Sequence, residues 1–439
     1  MKDLWSACFK AKKLKLQLMS TRSFGRSSSF GKSSGRRRAA PSGQSAKSAA
    51  RFGGRPTGGR SNSGRSNNRF TDQKINPALF VSKAGPIVKE KPYVSKNAFA
   101  DFAIDEQLKR NVSAKGYITP TPIQDEAIPA VLEGIDVVGI ANTGTGKTAA
   151  FLLPLLDKII KNPKENILII VPTRELATQI NQELIEFKGK LRIFSVCCVG
   201  GTSIGRQISD LYRQHNIVIG TPGRLKDLIE RGMIKPARFS TIVLDEADRM
   251  LDMGFVADMR FIMGLMPKER QTLFFSATVN REIDKLVQEF LNNPVTISVK
   301  TGTTSKNVEQ DVVRIRHESE KLDVLHEMLS QPEFSKVLIF GRTKFGVEKL
   351  SYALVQRGFK ADAIHGNKNQ NKRQLALNLF KTNKTNILVA TDVAARGLDI
   401  PNVTHVINYD VPATYEDYVH RIGRTGRADQ LGKAFTFIS

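Results

Sequence analysis

From Ile135 to Thr148 the chain reads Ile-Asp-Val-Val-Gly-Ile-Ala-Asn-Thr-Gly-Thr-Gly-Lys-Thr. The groups able to do chemistry are the Lys147 ammonium and the Thr148 hydroxyl, set directly behind Gly144 and Gly146. Glycines let backbone N–H groups approach phosphate oxygens. A lysine there reaches the β and γ phosphates of a nucleotide, and the hydroxyl ligates Mg²⁺. Residues Ala141, Asn142, Thr143, Gly144, Thr145 and Gly146 would form the cradle. Its position requires a strand before and a helix after. The apolar runs 135–140 and 149–160 supply them. Alanine stands at 141, where G-x-x-x-x-G-K-[ST] has glycine. The pattern implies a site for a nucleoside triphosphate and says nothing of its purpose.

A second constellation lies at Thr241-Ile-Val-Leu-Asp245-Glu246-Ala-Asp248. An acid at the carboxyl end of a strand, in the sheet that carries a phosphate cradle, is placed to hold Mg²⁺. Asp245 takes that position, and Glu246 next to it can orient and deprotonate a water. Alone, the run would be an acidic helix cap.

Composition limits the classes. The chain has 439 residues and a net charge of +25, which allows two or three domains. Residues 1–96 hold 22 Lys/Arg against 3 Asp/Glu, the remainder 45 against 39, so the excess belongs to the amino-terminal part. A polyanion, most often nucleic acid, is the implied partner. No apolar run approaches the roughly 20 residues that cross a bilayer, so no membrane role is expected. Cys8, Cys197 and Cys198 make neither a disulfide framework nor a zinc pattern, which points to a reducing, intracellular compartment.

Residues 1–20 read as lysine-rich, and Met19 offers an alternative start that would make the first 18 residues an extension. From Arg22 to Phe70 the text is Ser, Gly, Arg and Asn with spaced Phe24, Phe30, Phe52 and Phe70. Too little apolar surface is present to offset ordering, so a disordered basic tail is expected over 1–96, with 71–96 a polar connector. It reads as an RNA-attracting arm, as a solubilising linker, or as an Arg/Ser-rich transit peptide. Beyond Asn97, short apolar strands alternate with helical periodicity, stop at the polar run 301–307, and resume with strands at 312–315, 337–340, 361–364, 387–390 and 403–408. Strand–helix alternation argues an α/β fold, two parallel-sheet domains in tandem. The expected division is 1–96 tail, 97–300 first domain, 301–309 linker and 310–439 second domain.

The acidic run and the cradle together resemble the DEAD-box family of ATP-dependent RNA helicases, and the resemblance extends over about residues 97–439. It implies two RecA-like domains, ATP and Mg²⁺ as cofactors, and RNA as partner. Gly116-Tyr117-Ile-Thr-Pro-Thr121-Pro-Ile-Gln124, with Phe99 upstream, is similar to the family's adenine-reading element. A glutamine amide can pair with the N6/N7 edge of adenine, and an aromatic ring can cover its face. RNA-backbone contacts are implied for Pro172, Thr173 and Arg174, for Gly201, and for Thr221, Gly223 and Arg224. In the second half they are implied for Arg342, Thr343, Gly366, Gln370, Arg373, Thr391 and Arg396. Ser276 and Thr278 look like the motif coupling hydrolysis to the domain interface, and Asp248 and His420 are grouped with them. Asp399 would touch the ribose, while Arg424 and Arg427 would act as arginine fingers. The family continues past the strand 434–438 with a closing helix, so truncation there is expected.

The expected mechanism follows. ATP and single-stranded RNA bind across the cleft, closure brings the arginines to the γ-phosphate, and one strand of a short duplex is lost. Two other classes stay open: an ATP-gated RNA clamp or annealing chaperone, and a DNA-directed helicase. Ribonucleoprotein, ribosome-assembly or mRNA-decay partners, a monomeric state and a cytoplasmic location complete the expectations.

Overall fold

The computed structural model describes residues 76–83, 93–142, 144–299, 307–395, 400, 402–426 and 430–438. The first alternating stretch gives β1 (Val137–Ile140), β2 (Ile167–Ile170), β3 (Ser195–Cys198), β4 (Ile217–Gly220), β5 (Thr241–Leu244), β6 (Gln271–Ser276) and β7 (Val295–Ser298). They form one sheet in the order β3-β4-β2-β5-β6-β1-β7, and every pairing is parallel. Parallel neighbours need helical crossovers, so both faces of such a sheet are covered and its strands are continuously apolar. β2 shows the consequence. Ile167 and Ile169 enter one apolar cluster with Ala150, Phe151 and Leu184. Leu168 and Ile170 enter the other with Leu225, Met250 and Phe274.

The second stretch gives β8 (Val308–Arg314), β9 (Val337–Phe340), β10 (Ala361–Ile364), β11 (Ile387–Ala390), β12 (His405–Asn408) and β13 (Gly432–Ile438). Their order is β10-β11-β9-β12-β13-β8, again all parallel. The α/β fold class and the tandem of two parallel-sheet domains hold. Parallel pairing puts all carboxyl ends of a sheet on one rim, and that rim is where loops can gather a site.

Two expectations change. The first strand of the second domain begins at Val308 instead of 312: Val308 and Glu309 pair with Gly432 and Lys433, so the last two linker residues belong to the sheet. The polar letters Glu309, Gln310 and Asp311 hid this strand, yet Gln310 is buried and its side-chain oxygen accepts from the Tyr418 hydroxyl at 2.9 Å. The connector 71–96 also contains structure. Asn76 caps a single 3-10 turn, Pro77–Phe80, Phe80 is buried in the second domain's core, and Ser82 pairs antiparallel with Gln310 on β8. Residues 1–75 and 300–306, on which the disordered tail and most of the linker were expected, lie outside the described residues.

Cys197 and Cys198 are both free, and burial pushes each thiol up to about 12, which suits neither thiolate chemistry nor metal binding. His405 gives the second domain a pH dependence. It is 4 % exposed, and its ring stacks on Phe334 at 4.1 Å. Burial, then the Lys433 charge, lowers its pKa to about 4. An unfolded histidine titrates near pH 6.5, so between about 6.5 and 4 the unfolded state binds more protons and stability falls as pH falls. Urea titrations should show the second-domain midpoint dropping across that window, with a shallower drop in His405→Phe. Equal slopes would remove His405 as the cause.

Candidate nucleotide site and nucleic-acid rim

The strand order divides the rim of the first sheet. At the ends of β1, β6 and β5 sit the cradle, Ser276–Thr278 and Asp245–Glu246. At the ends of β2, β3 and β4 sit Pro172–Arg174, Gly200–Gly201 and Thr221–Arg224.

In the cradle, Gly144 and Gly146 take φ of 85° and 91°, values that a side chain would strain. Gly146 opens the helix Lys147–Lys161. The Lys147 ammonium is buried and donates to the Ala141 carbonyl at 2.9 Å, while the Thr145 hydroxyl donates to the Asn142 carbonyl at 2.8 Å. Thr148 is half-buried. Gln124 lies in the first turn of the helix Pro122–Leu132. Its amide nitrogen donates to the Gly146 carbonyl at 3.1 Å, and its oxygen accepts from the Thr121 N–H at 2.9 Å. A methyl group on Gly146 would collide with the Gln124 amide, so the cradle and the start of the helix Pro122–Leu132 form one unit. Phe99 is 5 % exposed, edge-on to Phe102 and to Tyr117 at 5.7 Å. Tyr117 in turn meets Phe187. Phe99 is packed in the first domain's core, and the partly buried Tyr117 packs against it. Thr143 lies outside the described residues.

Asp245 and Glu246 are 3 % and 4 % exposed. Burial pushes the Asp245 carboxyl up to about 6, opposed by the charge of Lys147 and reinforced by that of Glu246. Glu246 sits in the left-handed region, φ 54° and ψ 49°, so the chain turns sharply between the two acids. Its carboxylate accepts from Arg249 at 3.2 Å, and its N–H donates to Asp245 at 2.9 Å. Asp248 ties this strand end to the next: its Oδ2 accepts from the Ala277 and Thr278 N–H groups at 3.0 and 3.1 Å and from the Thr278 hydroxyl at 3.2 Å. Ser276 donates to the Thr278 carbonyl at 2.8 Å.

Nothing among the described residues groups three or more His, Cys, Asp or Glu as a metal cage. One carboxylate and one hydroxyl nevertheless fit Mg²⁺, which keeps waters and takes phosphate oxygens instead of an all-protein shell. The buried Asp245 beside a buried ammonium is the fit that a magnesium nucleotide needs.

On the other half of the rim, Thr173 caps the helix Arg174–Lys188, accepting from Leu176 N–H at 3.3 Å. The Arg174 guanidinium lies over Gly200 and Gly201; a side chain at Gly201 would run into it. Burial, then the charge of Arg373, lowers its pKa. Thr221 and Gly223 start the helix Pro222–Glu230. Arg224 donates to the Gln207 side chain at 2.9 Å. Gln207, which the sequence did not mark, is itself anchored to the Val199 carbonyl at 2.9 Å.

The second domain meets this half. Arg373 contacts Glu175 at 2.9 Å, and the Gln370 amide donates to the same oxygen at 3.3 Å. Arg342 donates its N–H to Asp410 at 2.7 Å, and Thr343 caps the helix Lys344–Gln356. Arg342 and Thr343 line a cavity of about 390 Å³ with Lys321 and Asp410. Gly366 follows β10 and Thr391 follows β11 on the same rim. Arg424 is 4 % exposed and lines a small cleft with Phe340, Asp392, His420 and Arg421. Arg396, Asp399 and Arg427 lie outside the described residues. Arg421, given no role by the sequence, is the centre of this region: it pairs with both oxygens of Asp392 at 2.5 and 2.8 Å and donates to Asn408 and the Asp410 carbonyl.

A glycine-rich cradle and buried acids at the strand ends of one parallel sheet, followed by a second parallel sheet, define a tandem P-loop nucleoside triphosphatase of RecA type. Family models for the DEAD/DEAH box helicase and the helicase conserved C-terminal domain match residues 121–286 and 320–429. The ATP-dependent RNA helicase CshA of Listeria monocytogenes is 48% identical over 342 residues, 77% of this chain and 66% of that protein. The DEAD-box ATP-dependent RNA helicase CshA of Geobacillus kaustophilus is 44% identical, covering 78% and 73%. This chain therefore spans about two thirds of the length of such relatives. Among solved structures, Mss116p bound to ssRNA and AMP-PNP matches with TM-score 0.71 at 30% identity, covering 81% of this chain and 77% of that one. S. cerevisiae Dbp5 bound to RNA and ADP BeF3 matches at 0.68 and 29%, covering 78% and 89%. The chain belongs to the DEAD-box family of ATP-dependent RNA helicases.

Proposed function

We propose that this chain is an RNA-stimulated ATPase that closes two domains on single-stranded RNA and thereby separates short duplexes or remodels RNA–protein complexes. The observation that carries this is the divided rim, with a nucleotide cradle on one half and, on the other, three helix or turn openings joined to the second domain through Glu175 and Arg373. Magnesium ATP supplies the phosphoanhydride bond whose hydrolysis resets the cycle.

The residues divide the work. Lys147 and the cradle, Ala141 to Gly146, bind the phosphates, and Thr148 and Asp245 hold the metal. Gln124 selects adenine from a pocket that Phe99, Tyr117 and Thr121 shape from behind, and Asp399 holds the ribose. Glu246 orients the attacking water and takes its proton. Asp248, Ser276, Thr278 and His420 transmit the state of the site to the domain interface. Arg424 and Arg427 stabilise charge that develops on the transferring phosphoryl group.

Thr173, Arg174, Gly201, Thr221, Gly223, Arg224, Arg342, Thr343, Gly366, Gln370, Arg373, Thr391 and Arg396, with the Pro172 turn, contact phosphate and 2′-OH groups. Such contacts carry little base preference. The substrate is therefore RNA of broad sequence, met in ribonucleoprotein, ribosome-assembly or mRNA-decay settings inside the cell, by a monomer. Among the described residues no helix is long and apolar enough to cross a membrane.

The test is steady-state ATPase with single-stranded RNA against DNA of the same sequence, together with displacement of a short RNA duplex. RNA should raise kcat and DNA should not. Equal stimulation by both would favour a DNA-directed enzyme. ATP-dependent binding or annealing without displacement would favour a clamp, the reading that the 22-to-3 charge imbalance of residues 1–96 supports.

A further inference from the structure

Phe80 precedes the first domain in sequence but lies in the core of the second. Its side chain is 1 % exposed, and its ring sits 4.6 Å from that of Tyr418, tilted by 52°. The segment around it is built to stay there. The Asn76 side chain accepts from the Ala78 N–H at 3.0 Å. Ser82 and Gln310 exchange both backbone hydrogen bonds, at 3.0 and 2.8 Å. β8 is the edge strand of its sheet, so Ser82 covers donors and acceptors that would otherwise face water.

Tyr418 is fully buried on the helix Tyr415–Ile422, and its hydroxyl donates to the side chain of Gln310. The same segment therefore holds Tyr418 at both ends, through Phe80 at the ring and through Ser82 and Gln310 at the hydroxyl. One turn further along that helix is Arg421, and Arg424 follows its end.

Ten residues after Lys83, the chain is pinned again, on the first domain. The Asp125 carboxylate accepts from the Tyr93 hydroxyl at 2.7 Å, from the Lys96 N–H at 2.7 Å, and from the Asn97 side chain at 2.7 Å. Asp125 adjoins Gln124, whose amide bonds the cradle. The segments Asn76–Lys83 and Tyr93–Asn97 are thus anchored on different domains.

We propose that Phe80 is a positioning residue for the arginine motif, and that Asn76–Lys83 is an edge of the second domain that holds the helix leading into this motif. The proposal rests on the RNA-stimulated ATPase reading above. Truncating Phe80 leaves Tyr418 facing a void and frees the helix that presents Arg424. Arginines that act on the transition state then lose preorganisation, which lowers kcat, while the cradle that binds ATP in the first domain is untouched.

The experiment compares wild type, Phe80→Ala and Phe80→Leu as full chains at saturating RNA, at a temperature where circular dichroism shows all three fully folded. Phe80→Ala should lower kcat about ten- to a hundredfold with KM for ATP within about twofold, and Phe80→Leu should recover most of the rate. An unchanged kcat overturns the proposal. So does a kcat deficit that disappears once the folded fraction is accounted for, since that is what a purely structural role produces. A wild type whose turnover ignores RNA would sink the function reading instead.

Discussion

Glu246→Gln is expected to lower ATP turnover by about 10²–10⁴-fold, the range over which a positioned general base acts, while nucleotide affinity stays near wild type. The substitution keeps size and shape. Its amide oxygen can still accept from Arg249, which contacts the Glu246 carboxylate at 3.2 Å, and the sharp turn after β5 remains. The capacity to take a proton is lost, together with the negative charge that pairs with Arg249. Lys147→Ala gives the contrast. Its ammonium is buried between the Ala141 carbonyl and the field of Asp245, so its removal should abolish turnover and weaken nucleotide binding together. Steady-state ATPase with saturating RNA, alongside fluorescent-nucleotide titration, separates the two patterns. Wild-type turnover in Glu246→Gln would end the role assigned to that carboxylate.

Arg421→Ala should destabilise the second domain by about 1–3 kcal/mol, the cost of leaving hydrogen-bonding groups without a partner. The guanidinium is 2 % exposed. It satisfies Asp392 through two bonds, then Asn408 at 3.2 Å and the Asp410 carbonyl at 2.7 Å, and lies 5.1 Å from the centre of the Phe340 ring. Alanine leaves the buried Asn408 amide unsatisfied and the part-exposed Asp392 carboxylate without its partner. A shift on the order of 10 °C follows for a domain of this size. Calorimetry should show the second-domain transition moving down while nucleotide binding by the first domain is retained. Arg421→Ala paired with Asp392→Ala should cost less than the sum of the two, because the double variant leaves no unpaired charge. Strict additivity would mean that the two side chains do not act as a pair.

What the sequence made legible was local. Ile167–Ile170 and Val337–Phe340 are continuous apolar runs and became central strands. The cradle and the Asp245–Glu246 pair are contiguous letters whose chemistry follows from spacing. What stayed hidden was decided between distant residues. Phe80 looked like one more tail aromatic because its partner, Tyr418, lies near the other end of the chain. The first residues of β8 looked like linker because the partners of its polar Gln310, among them Tyr418 and Ser82, lie far away in sequence. Arg421 stood inside a motif already quoted, but its four acceptors come from three residues on two other segments. Gln207 carried no signal at all until Arg224 was folded onto it.

The register of the second sheet has a consequence for synthesis on the ribosome. The first sheet has all its strands once Ser298 has emerged. In the second, β8 is made first of its group but pairs along its full length, Val308 to Arg314, with β13, Gly432 to Ile438. At about 5–20 residues per second that partner arrives roughly 6 to 25 seconds later. Throughout this interval the nascent polypeptide carries a finished amino-terminal domain, an orphan strand, and a phenylalanine without its tyrosine. Chaperone demand should therefore peak during translation of the carboxyl-terminal third, and slow codons placed there would lengthen the exposure.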